Sequence, residues 1–363
     1  MKKYNELNER IKRDYYRYLK EPKKQSDQSI DVIASAINRF EAYTNHKDFK
    51  SFHREQAIGF KHKLAEQLNQ TTGKPLSKST VRMSLAALRA LFVWLADRPG
   101  FRSHVSYTDA DYFNPSDRDT QIALSPRQRA VPTIEQVRHT LNKMPSATVL
   151  DRRDRALIAF ILLTGCRDRA AVSIKLKHLD LTQRVLYQDP REVETKRGKS
   201  ITTFFFPIGD EIENLVPDWV AELRSRHLWG LDDPLFPSTE ISRVDCGDFQ
   251  PTGLKRAHWS NADAVRRIFK KAFESAGLPY FNPHSFRKTL ARLGQENCRT
   301  PEQMKAWSQN LGHTQMMTTF ASYGHVEEYR QGEIIRSLAE PIPDEERMRD
   351  FFHIFMQKVG KPK

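Results

Sequence analysis

The sequence predicts a mainly α-helical protein with a small β-hairpin, an α+β fold in two domains. Three observations predict it. The chain has 363 residues, more than one ordinary core takes up. Apolar residues recur at helical spacing along most of its length. One pair of segments rich in β-branched and aromatic residues, 184–188 and 201–206, flanks the turn-forming Lys196-Arg197-Gly198-Lys199, a hairpin with a basic tip.

Residues 1–112 read as helical. Ser29-Ile30-Asp31 offers a cap, and Ile30, Ile33, Ile37 and Phe40 follow at helical spacing. A second helix is expected over 53–68. A third starts near Ser77 and Ser79, with Val81, Leu85, Leu88, Leu91 and Phe92 on one face, and ends before Pro99-Gly100. Over 113–132 the apolar period fades, and Asn114-Pro115-Ser116-Asp117 and Ser125-Pro126-Arg127 are turn signals, so a linker is expected there. Pro132-Thr133 opens a new helix with Thr133 as N-cap, starting a second domain over 133–340. Within it, a buried helix over 155–163 ends at Thr164-Gly165, and helical character continues over 170–176. After the hairpin, helices are expected at 210–227, 261–276, 284–297, 302–311 and 325–338. In the tail, 341–363, Met348, Phe351, Phe352 and Phe355 share one face of a short amphipathic helix.

Charge narrows the function. There are 59 Lys and Arg against 45 Asp and Glu, a net charge of +14, which favours a polyanionic partner. Lys74, Lys78 and Arg82 cluster at the start of the third helix, and with Lys199 they are candidate DNA contacts. A helical bundle with solvated charges fits residues 1–112 equally well. The most apolar stretch, 156–163, is far short of the roughly 20 residues that cross a bilayer. Met1-Lys2-Lys3-Tyr4 leads into charged residues without an apolar core, so no secretory signal is expected. Cys166, Cys246 and Cys298 are scattered and suggest neither a disulfide framework nor a zinc site. A cytoplasmic location is expected. No P-loop and no acidic cluster with metal-ligand spacing stands out, so no cofactor is expected.

The second domain holds residues suited to phosphodiester chemistry. Breaking that bond needs a nucleophile, cations on the non-bridging oxygens and an acid for the departing oxygen. Arg suits the clamp because its planar fork binds phosphate oxygens in pairs. Tyr can attack and leave a covalent phosphoester. In chain order come Thr164-Gly165-Cys166-Arg167, Lys196, His284-Ser285-Phe286-Arg287, Leu311-Gly312-His313 and Ser322-Tyr323-Gly324-His325.

This ordered set resembles the tyrosine recombinase (phage integrase) family, strongly over 133–340 and weakly before it. The resemblance implies a helical, SAM-like core-binding domain at 1–112 followed by a tyrosine-recombinase catalytic domain. It also implies the roles. Arg167 and Arg287 hold the scissile phosphate, and Lys196 protonates the leaving 5′ oxygen, with Lys199 as its rival. His284 is general base or proton shuttle, and His313 binds a non-bridging oxygen. Tyr323 attacks phosphorus to give a 3′-phosphotyrosine, with Tyr329 as the nearest rival. Two departures stand out. Tyr323 follows His313 by 323 − 313 = 10 positions, one more than is commonest in the family, and Ala170 replaces the acidic residue that often orients the first Arg, for which Asp168 or Asp180 are possible stand-ins. The partners implied are double-stranded DNA carrying a recombination site, a homotetramer on that DNA, and a directionality or host DNA-bending factor. Integration or excision of a mobile element is the activity implied. A type IB topoisomerase-like nicking-closing enzyme and a catalytically inactive DNA-binding regulator are the alternatives.

Overall fold

The computed structural model describes residues 4–70, 72–125, 130–243 and 249–313. The fold is mainly helical with small antiparallel sheets, and the chain divides into two compact units, Met1–Arg127 and Gln128–Lys363.

The first unit is built from α1 (Glu6–Lys20), α2 (Asp27–Tyr43), α3 (Arg54–Glu66), α4 (Lys78–Ala96), α5 (Tyr107–Asp111) and α6 (Asp117–Leu124). Its core centres on α4, whose Val81, Leu85, Leu88, Leu91 and Phe92 are buried, as their spacing predicts. Phe40 of α2 meets Phe60 and Phe92 edge-on, at ring separations of 5.2 and 5.7 Å. Helix α4 is long and apolar enough to cross a bilayer by composition alone, but its apolar face forms this core. Several features depart from expectation. Helix α2 is capped by Ser26, whose side chain accepts from the Ser29 amide, so the polar run before Ser29 is already helical. Helix α6 lies within 113–132, the stretch expected as linker, and packs on α4. Helix α1 lies in the stretch read as helical, but its bounds were not legible because its buried face mixes Tyr15 and Leu19 with Asn8 and Lys12. Both polar residues bond Glu41 of α2, at 3.0 and 2.7 Å. Satisfied polar groups inside the face hide its period.

The second unit begins with α7 (Ile134–Lys143), capped by Thr133 as predicted, and α8 (Val149–Thr164). Every residue from Ala156 to Leu163 is buried, so α8 runs through the middle of the unit. Helix α9 (Asp168–Ala171) stops after four residues, shorter than the helical stretch expected over 170–176. There Ile174 accepts from the Leu235 amide and Lys175 bridges to Pro234, which holds the chain extended. Strands β1 (Leu179–Asp180), β2 (Val185–Gln188) and β3 (Ile201–Phe204) form an antiparallel sheet in that order, with Val185 opposite Phe204 and Gln188 opposite Ile201. Helices α10 (Asp210–Glu213) and α11 (Leu215–Ser225) follow. A second hairpin, β4 (Ser238–Arg243) and β5 (Phe249–Lys255), was not anticipated. Most of its residues are exposed, so no face alternates apolar with polar. The unit continues with α12 (Asp263–Ser275), α13 (Pro283–Asn297) and α14 (Pro301–Asn310). The helix expected at 325–338 and the tail lie outside the described residues.

Candidate active site

Helix α13 supplies the centre of the site. Asn282 caps it, accepting from the Ser285 amide, and Pro283 occupies its first turn. His284 and Arg287 therefore sit one turn apart near its start. Arg287, Leu290 and Gly294 follow on one face, and α14 packs there. Gly294 permits the close approach: a Cβ at that position would lie 2.6 Å from Trp307 Nε1. The Trp307 indole N–H donates to the Leu290 carbonyl at 2.9 Å, and its ring lies 4.8 Å from that of Phe206. Helix α14 is thus pinned to α13 on one side. On the other it is pinned to β3: Asn310 Oδ1 accepts from the Phe204 amide at 2.7 Å, and Asn310 Nδ2 donates to the Phe204 carbonyl at 2.8 Å.

This packing delivers two carbonyls and one imidazole to Arg287. Its Nη1 donates to the Gly165 carbonyl at 2.5 Å, and its Nη2 donates to the Leu311 carbonyl. Nη2 also lies 3.1 Å from His313 Nε2. A guanidinium only donates, so His313 Nε2 carries the lone pair and Nδ1 carries the proton. Gly165 is required twice over. It ends α8 at φ +58°, and a Cβ there would meet Leu311 Cδ2 at 3.0 Å and Leu290 Cδ1 at 3.2 Å. The sequence pointed to the Arg and His of the Thr-Gly-x-Arg and Leu-Gly-His boxes. The carbonyls of Gly165 and Leu311 were missed, although the glycine in the first box was the available signal.

Electrostatics single out the same place. Arg287 is 6% exposed and has neutral partners only. Among the described residues no carboxylate pairs with Arg287 or with the half-buried Arg167, whose side chain makes no hydrogen bond there. Burial, and then the like charge of Arg167, lower the Arg287 pKa to about 10. Burial also lowers that of Arg167. His313 falls to about 4 through burial, then Arg287 and Arg167, and is neutral near pH 7. His284 is exposed, yet local loss of solvent and then Arg287 and Arg167 hold it below its ordinary value. Burial pushes the neighbouring Cys166 thiol up to about 12, so it is no nucleophile at neutral pH. Two uncompensated guanidiniums flanked by two neutral imidazoles make a receptor for an anion with several acceptor oxygens.

Other expected residues fall elsewhere. Asp168 pairs with Arg266 at 2.9 Å, and Asp180 caps the turn at Thr182 and Gln183, so neither orients Arg167. Lys196 begins a 3-10 turn, Lys196–Gly198, between β2 and β3, and is exposed. Lys199 follows that turn. Strand β3 enters beside His313, because a Cβ on Gly312 would touch Ile201 at 3.1 Å. In the first unit Lys74 and Arg82 are exposed, while Lys78 pairs with Asp119 at 2.7 Å. Tyr323 and Tyr329 lie outside the described residues. Cys166 and Cys298 are free, and no cluster of metal ligands occurs among the described residues.

The phage integrase family model matches residues 131–330. The tyrosine recombinase XerD of Neisseria meningitidis serogroup B is 25% identical over 254 residues, covering 69% of this chain and 73% of its own. Among solved structures, a lambda integrase(75-356) dimer bound to a COC′ core site superposes with a TM-score of 0.61 at 14% identity, covering 88% of this chain and 96% of its own. A lambda integrase tetramer bound to a Holliday junction gives 0.58 at 15% identity, covering 85% and 77%. These two structures share the fold with this chain.

Proposed function

The chain belongs to the phage integrase family, whose members cleave and rejoin DNA, and from that premise we propose that it is a site-specific recombinase working through a 3′-phosphotyrosine at Tyr323. The supporting observation is the buried Arg287 beside Arg167, with no carboxylate to neutralise either among the described residues. A scissile phosphate supplies the missing charge. Arg167 and Arg287 take its non-bridging oxygens, and His313 hydrogen-bonds one of them.

The chemistry follows from those placements. The Tyr323 hydroxyl attacks phosphorus and its proton passes to His284, which loss of solvent and then the surrounding guanidiniums keep neutral and able to accept it. The bond to the 5′ oxygen breaks, and Lys196 protonates that oxygen. The products are a 3′-phosphotyrosine and a free 5′ hydroxyl. One phosphoester replaces another, so the reverse attack by a 5′ hydroxyl reseals the strand without external energy. Exchange between two duplexes then requires four protomers. The lambda integrase tetramer on a Holliday junction supports that reading. Lys74, Arg82 and Lys199 bind phosphates of the flanking duplex, and Lys78 does so in competition with Asp119. The reaction serves integration or excision of a mobile element, in the cytoplasm where its DNA lies.

A nicked suicide duplex, built on the core sequence read at the junctions flanking the gene, tests the assignment. A covalent protein–DNA adduct is expected that disappears in Tyr323→Phe and survives in Tyr329→Phe. An adduct that persists in Tyr323→Phe overturns it.

A further inference from the structure

We propose that Glu192 and Glu194, on either side of the buried Val193, strap the β2–β3 connection to the framework around α9 and so position Lys196. Both are positioning residues, and the proposal rests on the reading of Lys196 as the general acid.

The connection is held along most of its length. The Asp189 carbonyl accepts from the Glu192 and Val193 amides at 3.0 and 2.8 Å, closing a turn. Val193 is 2% exposed and pegs the connection into the core of the unit. Glu192 Oε1 accepts from Lys177 Nζ at 2.7 Å and from Lys175 Nζ at 3.3 Å. Its Oε2 lies 3.0 Å from Nε2 of the buried His178. His178 Nδ1 accepts from the Lys175 amide at 3.0 Å, so the ring proton sits on Nε2 and is donated to Glu192. Glu194 is tied twice: its carboxylate accepts from Arg169 Nε at 3.1 Å, and its amide donates to Ser173 Oγ at 2.9 Å.

Sequence spacing gives the strap its effect. Arg169 stands 169 − 167 = 2 residues after Arg167, and Glu194 stands 196 − 194 = 2 residues before Lys196. The Arg169–Glu194 pair therefore links the phosphate-binding arginine to the proton donor through two short stretches of chain. Downstream, Ile201 packs against Gly312 beside His313. Only 195–200 lies between the two anchors. The Lys196 ammonium makes no hydrogen bond or ion pair among the described residues, so it can point at a leaving oxygen.

Single-turnover cleavage of the suicide duplex tests this, with the scissile 5′ oxygen either kept or replaced by sulfur. A thiolate leaves without protonation, so a defect confined to the general acid vanishes on the sulfur substrate. Glu192→Gln combined with Glu194→Gln is expected to cut the oxygen substrate about tenfold more slowly, and the sulfur substrate at the unmodified rate. Equal slowing on both substrates, or no slowing on either, overturns the strap. Lys196→Ala is the reference. If sulfur restores Lys196→Ala but not the glutamate variant, the strap alone fails. If sulfur does not restore Lys196→Ala, the reading of Lys196 fails and the strap with it.

Discussion

Arg287 is a buried cation with no carboxylate partner among the described residues, and the consequences are local. Burying a cation without an anion costs several kcal/mol, which its bonds to the Gly165 and Leu311 carbonyls only offset. Arg287→Met removes the cost and the bonds together. The expected outcome is a melting temperature within a few degrees of the unmodified protein, with cleavage slowed by about 10²–10³-fold. Calorimetry and single-turnover assays check the two halves. His313 predicts a pH effect whose sign follows from its shift. Its pKa drops from 6.5 to about 4 on folding. Between those values the unfolded chain binds more protons, so stability rises with pH across the window and is lost as pH falls through it. The imidazole is partly solvated, which reduces the loss to on the order of 1 kcal/mol. His284 shifts in the same direction. Urea unfolding at pH 7 and pH 5 is expected to show a smaller difference in His313→Gln. At this scale the ordered motifs pointed to Arg167, Arg287, His284 and His313, and the fold places His284 and His313 within the electrostatic reach of both guanidiniums. The sequence did not reveal that backbone carbonyls hold Arg287, since every residue carries one and only the fold selects which.

Elements bring these residues together, and small residues at their crossings decide how closely. Gly165 ends α8 in the left-handed region against Leu290 and Leu311. Gly165→Ala therefore combines backbone strain of about 1–2 kcal/mol with a steric clash. It is expected to lower the melting temperature by several degrees and to slow cleavage, because the Gly165 carbonyl shifts away from Arg287. An unchanged cleavage rate would show that this carbonyl does not position the guanidinium. Helices α4, α7 and α8 were legible in the sequence because their caps or apolar periods were intact, as with Thr133 and the stretch 156–163. The bounds of α1 were not, because Asn8 and Lys12 interrupt its buried face, and the β4–β5 hairpin buries too little to leave a pattern.

At the scale of the whole molecule, the excess of positive charge is shared by a helical unit and a unit of helices and small sheets. If both contact phosphates, affinity for duplex DNA falls steeply with salt. Arg82→Ala, which is exposed on α4, is expected to weaken binding evenly across sequences and to reduce the slope of log affinity against log salt by about one unit. Titrations at several salt concentrations measure that slope. The central claim concerns charge: Arg167 and Arg287 serve the negative charge on the non-bridging oxygens of one phosphate. Replacing one of those oxygens with a methyl group leaves a neutral methylphosphonate, and cleavage of that substrate tests the claim most directly. Arg287→Ala, nearly inactive on the ordinary phosphodiester, is expected to recover cleavage on the methylphosphonate. Failure to recover, or normal cleavage of the charged substrate by Arg287→Ala, would contradict the account.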